Sequence, residues 1–162
     1  MNNNSDNKII KTSNYDNMLI IVNKSLFGRK KFIVCDNYKN KLYKITVTDK
    51  EALLLFNNKE IGKIIYNRNN NQVSYSVFLD KMKSGEIEKN VSVKPIYEMS
   101  SNNLRIEGNL LHDQYKVFDN YNTNIIIINL TKEGKYIVSF NNQSNEKIAL
   151  IIAMMIELDN KN

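Results

Sequence analysis

The feature that most constrains the fold of this chain is an uninterrupted run of nine apolar residues at positions 148–156. Alanine and methionine within the run favour a helix over a strand, and Ser144 and Glu146 before it suit an N-cap and an acidic first turn. At about 1.5 Å per residue the run is roughly 14 Å long, which is too short to cross a bilayer. Because a helix that is apolar on all sides must be buried on all sides, the sequence predicts a C-terminal helix at about 144–158 that the rest of the protein encloses.

Short apolar segments occupy most of the chain before this helix, and turn residues separate them at intervals of about 8–12 residues. Apolar and polar residues alternate in the segments 43–48, 73–79 and 136–140, as half-buried strands require. The segment 125–128 is apolar throughout, which indicates that both of its faces are covered. Pro95 cannot donate a ladder hydrogen bond, so it marks a bulge or the start of a strand. Strands and buried helix together predict a mainly β fold, a closed antiparallel barrel around the helix.

The length of 162 residues suits a single domain. We expect residues 1–16 to be a polar N-terminal tail and residues 17–162 to be the barrel domain. The tail has no apolar core of the kind that a signal peptide needs, and the sequence has no stretch of about 18 apolar residues for a membrane span. With Cys35 as the single cysteine, these features favour the cytoplasm.

An internal repeat is indicated by two short motifs. Asp-Asn-Tyr occurs at 36–38 and again at 119–121, an offset of 83 residues, and Phe-Asn-Asn at 56–58 recurs at 140–142, an offset of 84. The repeat predicts a barrel of two similar halves, in which the second half continues into the helix where the first continues into a strand near Ile61. Because Asn occurs 28 times in the chain, a chance match is the alternative.

The residues that most catalytic and metal sites need are scarce. One Cys and one His, His112, exclude a disulfide framework, a zinc finger and a His-rich metal site. The sequence contains no nucleophile elbow, no P-loop and no dinucleotide fingerprint. A barrel filled by its own helix also leaves no lumen for a small ligand. We therefore expect a protein that is not an enzyme and that uses neither a cofactor nor a metal.

The net charge of +6 and the pI near 9.2 favour partners that carry phosphate. The alternative is solvated background charge, since Lys supplies 20 of the 23 basic residues and Arg gives the better phosphate geometry. The candidate residues for binding lipid or another anion lie in the first hairpin turn, with a possible extension of the patch in the next hairpin. They are Arg29, Lys30 and Lys31, and then Lys39, Lys41 and Lys44. Lys81 and Lys83 form a second, smaller basic turn.

Tyr38 and Tyr121 occupy equivalent positions of the repeat. Such tyrosines can stack on a base or sit at a lipid headgroup interface. The more frequent role is a half-buried hairpin residue, which is what we expect here.

The chain resembles the tubby C-terminal-like superfamily in three features. These are the segment 32–45, the series of about twelve strand candidates, and the strand at 136–140 followed by the apolar helix. Within this superfamily the chain resembles the LURP-one-related proteins and their small bacterial relatives. The resemblance extends from about Met18 to Leu158. The resemblance implies a closed barrel of twelve strands with a hydrophobic helix through its centre.

The same resemblance implies a link to lipids, because tubby domains bind phosphoinositides through basic residues and phospholipid scramblases share the fold. No tubby phosphoinositide motif matches residue by residue, and no acidic calcium loop is present. We expect a non-catalytic module that binds anionic phospholipid at the inner membrane surface. The alternative is a protein-interaction or scaffold module, and nucleic-acid binding is the weakest hypothesis because no interleaved basic and aromatic motif occurs.

Overall fold

The computed structural model describes residues 17–25, 29–90 and 93–162, so the expected tail at 1–16 lies outside the described residues. Within these ranges the chain forms twelve strands, two short 3₁₀ turns and one helix, α1, at Glu146–Lys161. The strands are β1 (Asn17–Asn23), β2 (Lys30–Cys35), β3 (Lys41–Val47), β4 (Glu51–Phe56), β5 (Lys59–Asn69), β6 (Gln72–Leu79), β7 (Met82–Asn90), β8 (Ile96–Met99), β9 (Leu104–Asn109), β10 (Gln114–Phe118), β11 (Asn124–Leu130) and β12 (Tyr136–Phe140).

Every strand pairs antiparallel with its neighbours in the sequence, and β1 closes the ring by pairing with β12. At the closure Leu19 lies opposite Val138 on β12, and Ile21 lies opposite Val34 on β2. All four side chains are buried, because the period-two alternation directs them to the same inner face. The predicted closed antiparallel barrel of about twelve strands is confirmed.

The helix α1 lies inside this barrel. All residues from Ile148 to Leu158 are buried, on every side of the helix. The wall approaches closely at Gly62 on β5, where a Cβ atom would lie 3.0 Å from Cδ1 of Ile151. The apolar run therefore forms the barrel core, as the sequence predicts. No helix in the described ranges has the length and apolarity to cross a membrane.

The start of the helix differs from the prediction. Ser144 lies in a 3₁₀ turn, Gln143–Asn145, and α1 begins at Glu146 and ends at Lys161. The side chain of Asn142 accepts a hydrogen bond from the Ser144 amide at 3.0 Å, so Asn142 caps this turn and Ser144 is not the N-cap. A tight turn is needed here because the chain must reverse from the barrel wall into its interior.

The antiparallel order gives the barrel two rims with different contents. The end of the barrel where α1 begins is called the upper rim. It carries the turns that follow even-numbered strands. We call lower rim the end where α1 finishes, which carries the turns that follow odd-numbered strands. Pro95 precedes β8 on the lower rim, and its carbonyl accepts a hydrogen bond from Gly108 at 2.8 Å. This confirms Pro95 at a strand start.

The internal repeat is visible in the backbone of two hairpins. Oδ1 of Asp36 accepts the amides two and four residues later at 2.9 and 2.8 Å, and Oδ1 of Asp119 does the same at 2.9 and 2.8 Å. Both hairpins place a left-handed residue third after the aspartate, Lys39 and Asn122, with φ of 66° and 61°. Both also shift register one residue before the aspartate. The repeat is therefore structural.

The prediction of two similar halves is wrong, because the two copies do not divide the ring of twelve strands equally. The copies are β2–β4 and β10–β12, with β1 between them on one side and β5–β9 on the other. After the repeat β4 continues into β5, whereas β12 continues into α1, as predicted. The cause is local: Asn57 and Asn58 take left-handed conformations that close a hairpin, whereas Asn142 is extended, with φ of −140°.

Candidate functional site

The six basic residues that the sequence singles out are spread along β2 and β3 from one rim to the other. Arg29, Lys30 and Lys31 lie at the start of β2, on the lower rim. Lys39 and Lys41 lie beyond the other end of that strand, on the upper rim. Lys31 stands opposite Thr46 and Lys41 stands opposite Cys35, so about 13 Å of strand separates Lys31 from Lys41. Lys44 lies between the two groups, because it stands opposite Ile33, diagonal to Lys31. Its Nζ donates to Oδ1 of Asn58, in an upper-rim turn, at 3.1 Å.

Lys30 lies at the lower mouth of the barrel, where its side chain reaches inward but remains 42% exposed. Along β2 the side chains of Phe32 and Val34 point inward, and Lys30 shares their face. Its Nζ lies 2.6 Å from Oε1 of Glu157 on α1, and the hydroxyl of Tyr136 donates to the other oxygen of that carboxylate at 2.6 Å. Arg29 and Lys31 remain exposed. In the sequence, the alternation of inward and outward side chains along β2 was the signal that Lys30 points to a different side than Lys31.

A second buried carboxylate on α1 anchors the lower rim. Asp159 accepts hydrogen bonds from the hydroxyls of Tyr75 and Tyr97, the latter at 2.7 Å, and pairs with Nζ of Lys89 at 2.8 Å. Burial first, and then the Asp159 charge, raise the pKa of Tyr75 and Tyr97. Burial and the Glu157 charge raise the pKa of Tyr136 in the same way. These tyrosines and lysines hold the end of the helix. In the sequence, the sign of these anchoring carboxylates was a pair of acidic residues just after an apolar run.

Three aliphatic side chains project from the lower rim. Val93 is fully exposed, Leu111 is 91% exposed and Leu110 is 65% exposed. They come from the β7–β8 and β9–β10 connections, which the hydrogen bond between Pro95 and Gly108 brings together. Val93 and Leu110 line two adjacent grooves of about 560 and 380 Å³. Sequence reasoning missed this cluster, although a Leu-Leu pair beside His112 and Asp113 in a turn region was its signal.

Basic residues accompany these aliphatic side chains. The described turns of the lower rim contain six lysines or arginines and three acidic residues. The described turns of the upper rim contain two lysines and three aspartates. The lower-rim residues are Lys24, Arg29, Lys50, Lys94, Lys132 and Lys135, with Asp49, Asp113 and Glu133. The lower rim is therefore the positively charged end of the barrel.

The upper rim presents two tyrosines at its repeated hairpins. Tyr38 is 86% exposed and Tyr121 is 83% exposed, so the expectation of half-buried residues is wrong. The aspartate before each tyrosine holds the tyrosine amide and fixes the turn, which leaves the ring outside the barrel wall. Lys81 lies in a tight turn on the same rim, and Lys83 pairs with Glu86 at 3.4 Å.

A groove of about 250 Å³ lies on the outer wall near the upper rim, across β2, β3 and β4. Its apolar lining comes from one residue of each strand, Ile33, Leu42 and Leu55, all half-buried. Lys41 and Lys44 line the same groove. The structure thus brings two of the predicted basic residues together with apolar surface.

The titratable residues that usually carry chemistry are dispersed. His112 lies in the β9–β10 turn and Cys35 ends β2, on opposite rims. In the described ranges no three residues of the types His, Cys, Asp and Glu are placed to hold a metal ion.

Comparison of the chain with family models finds no match, and comparison with curated proteins finds none. Among solved structures, the X-ray structure of a protein from Arabidopsis thaliana matches with a TM-score of 0.59 and 13% sequence identity. The match covers 88% of this chain and 91% of the plant protein. The comparison therefore shows that this chain and the plant protein share their overall fold. At this identity the likeness shows the fold alone.

Proposed function

We propose that this tubby-like barrel is a non-catalytic module that binds anionic phospholipid at a membrane surface and turns its lower rim toward the lipid. The observation that carries the proposal is the cluster of Val93, Leu110 and Leu111, exposed beside basic turns. Aliphatic side chains gain free energy when they leave water for the acyl boundary. Each nearby Lys or Arg adds about 1 kcal/mol at an anionic surface.

This proposal keeps some of the basic residues that the sequence singles out and sets others aside. Arg29 and Lys31 are exposed on the lower rim, where they contribute to the same positive field. Lys30 is paired with Glu157, and Lys39 and Lys41 lie on the opposite rim. A flat membrane that contacts the lower rim does not reach the upper rim. We further propose that the membrane is the inner surface, reached from the cytoplasm, a location supported by the basic charge and the single cysteine.

The test is co-sedimentation with vesicles of phosphatidylcholine, with and without phosphatidylserine. We expect binding only to the anionic vesicles, and we expect salt to weaken it because salt screens exposed charges. The double variant Val93→Ser/Leu111→Ser removes aliphatic surface without changing charge, and should bind at least about tenfold more weakly. The matched control is Met82→Ser, since Met82 is 72% exposed on the upper rim. Absence of salt-sensitive binding, or equal binding by the double variant, contradicts the proposal.

The second candidate function is a protein-interaction module that uses the upper rim to bind a second copy of the chain. It is favoured by the exposed rings of Tyr38 and Tyr121, because tyrosine is enriched at protein interfaces and loses little entropy when it is buried. Sedimentation equilibrium over a range of concentrations tests it. We expect Tyr38→Ser/Tyr121→Ser to weaken self-association, and a protein that is monomeric at every concentration excludes this function.

A further inference from the structure

We propose that the groove on the outer wall of β2, β3 and β4 binds a free single-chain amphiphilic anion. The alkyl chain would lie on Ile33, Leu42 and Leu55, and the anionic head would lie between Lys41 and Lys44. This site is separate from the lower rim, so it goes beyond the proposed membrane binding and does not depend on it.

The size of the groove limits the ligand. A volume of about 250 Å³ falls below the roughly 300–1,000 Å³ of pockets that take drug-sized molecules. The apolar lining is half-buried and spans three adjacent strands, so it offers a narrow strip rather than a deep cavity. One side of the strip is firm, because Tyr43 packs its ring against Phe56 at 5.7 Å and donates its hydroxyl to Glu146. A single alkyl chain suits such a strip.

The charges at the groove favour an anion. Lys44 donates to the neutral side-chain oxygen of Asn58, and neither Lys41 nor Lys44 forms an ion pair with a carboxylate in the described part of the chain. Both ammonium groups therefore keep their positive charge available at the groove. Apolar lining beside uncompensated cations is complementary to an alkyl chain with a phosphate or carboxylate head.

The repeat provides an internal comparison that shows the groove is not imposed by the fold. The second hairpin has the same aspartate turn and the same register shift, yet Asn124 and Ile127 replace Lys41 and Lys44. In the third strand of the repeat Ser139 replaces Leu55. In the first strand of the repeat Lys116 replaces Ile33, so the second copy has one lysine beside Ile127. Only the first copy combines two lysines with three aliphatic residues.

The probe for the test is octyl phosphate below its micelle concentration, titrated into the ¹⁵N-labelled protein and followed by NMR. We expect saturable binding of one molecule, with shifts centred on Ile33, Leu42 and Leu55. Inorganic phosphate has the head without the chain, and octanol has the chain without the charge. Each should bind at least about tenfold more weakly than octyl phosphate. Failure of octyl phosphate to bind, or shifts confined to the lower rim, overturns the proposal.

Charge and apolar contact are then removed separately. Lys44→Gln should weaken octyl phosphate binding about fivefold, the effect of one cation near an anion. Leu55→Ser should weaken it by at least as much, whereas Lys81→Gln, an exposed upper-rim lysine outside the groove, should leave it unchanged. Unchanged binding by both Lys44→Gln and Leu55→Ser overturns the proposal, and Lys44→Gln keeps the test decisive if Leu55→Ser does not fold.

The two proposals can fail independently. Val93→Ser/Leu111→Ser should retain octyl phosphate binding, because these residues lie on the other rim. Lys44→Gln should retain binding to anionic vesicles. Loss of vesicle binding in Lys44→Gln would place the groove at the membrane and overturn the assignment to a free amphiphile.

Discussion

Asp159 lies in the last turn of α1, where the helix dipole disfavours a negative charge. Its side chain is also largely buried, which adds a cost of desolvation. Two tyrosine hydroxyls and the ammonium of Lys89 offset both costs. Glu157 is held in the same way by Tyr136 and Lys30, so two acidic residues that would destabilise a free helix instead fasten it to five different strands.

Asp159→Asn should therefore destabilise the protein strongly, even though the two side chains have the same shape. An amide keeps the volume but leaves Lys89 without its counter-charge and one tyrosine hydroxyl without its acceptor. We expect the free energy of unfolding to fall by about 2 kcal/mol, measured by urea denaturation. Lys83→Gln, which removes a surface ion pair, should change it by less than about 0.5 kcal/mol. Equal effects of the two variants would mean that Asp159 does not anchor the helix.

Stability should also fall in alkaline solution because of the buried tyrosines. Burial and neighbouring carboxylates raise the pKa of Tyr75, Tyr97 and Tyr136, and raise that of Tyr43 to about 12. A raised pKa means that the folded state holds its protons more tightly, so this stabilisation is complete below about pH 10 and is lost as pH rises through the folded-state values. Thermal unfolding from pH 8 to 12 should show a falling midpoint, with a shallower fall in Tyr97→Phe. An equally steep fall in that variant contradicts the assignment.

At the scale of the element, sequence patterns predict the type and burial of a helix or strand, because these depend on local geometry. The apolar run at 148–156 predicts a buried helix because no polar face exists to meet water. The helix start at Glu146 was not predictable, since Ser144 suits a cap equally well in a 3₁₀ turn. The exposure of Tyr38 was not predictable either, because it depends on which side of the turn that Asp36 fixes faces the barrel.

The position of α1 inside the barrel makes its middle intolerant of charge. Ala153 is almost fully buried next to Met154, so Ala153→Asp places an unpaired carboxylate in the core and should cost more than about 4 kcal/mol. We expect little soluble folded protein, measured by circular dichroism and size-exclusion chromatography. Lys147→Asp puts the same residue at an exposed position in the first turn, where the dipole favours it, and should fold normally. Normal folding of Ala153→Asp would place the helix outside the barrel.

At the scale of the whole molecule, the ring of strands decides which residues meet. Lys30 and Lys31 are adjacent in sequence, yet β2 directs Lys30 toward Glu157 and Lys31 to the outer wall, where it lies diagonal to Lys44. Val93 and Leu110 are farther apart in sequence but become neighbours through the β8–β9 pairing. Pairings of this kind depend on the complete topology, which is why the lower-rim cluster was absent from the sequence-based candidates.

Closure of the ring around α1 also predicts a single cooperative unit. The amides of Leu150 and Ile152 become accessible to water only if the wall opens, because every side of the helix is buried. Their hydrogen exchange should therefore proceed through global unfolding, with an opening free energy within about 1 kcal/mol of that from urea denaturation. Amides in the β4–β5 turn, such as Asn58, serve as the comparison and should exchange through local fluctuations. Helix amides that exchange much faster than the amides of β1 and β12 would show that α1 leaves the barrel while the wall stays closed.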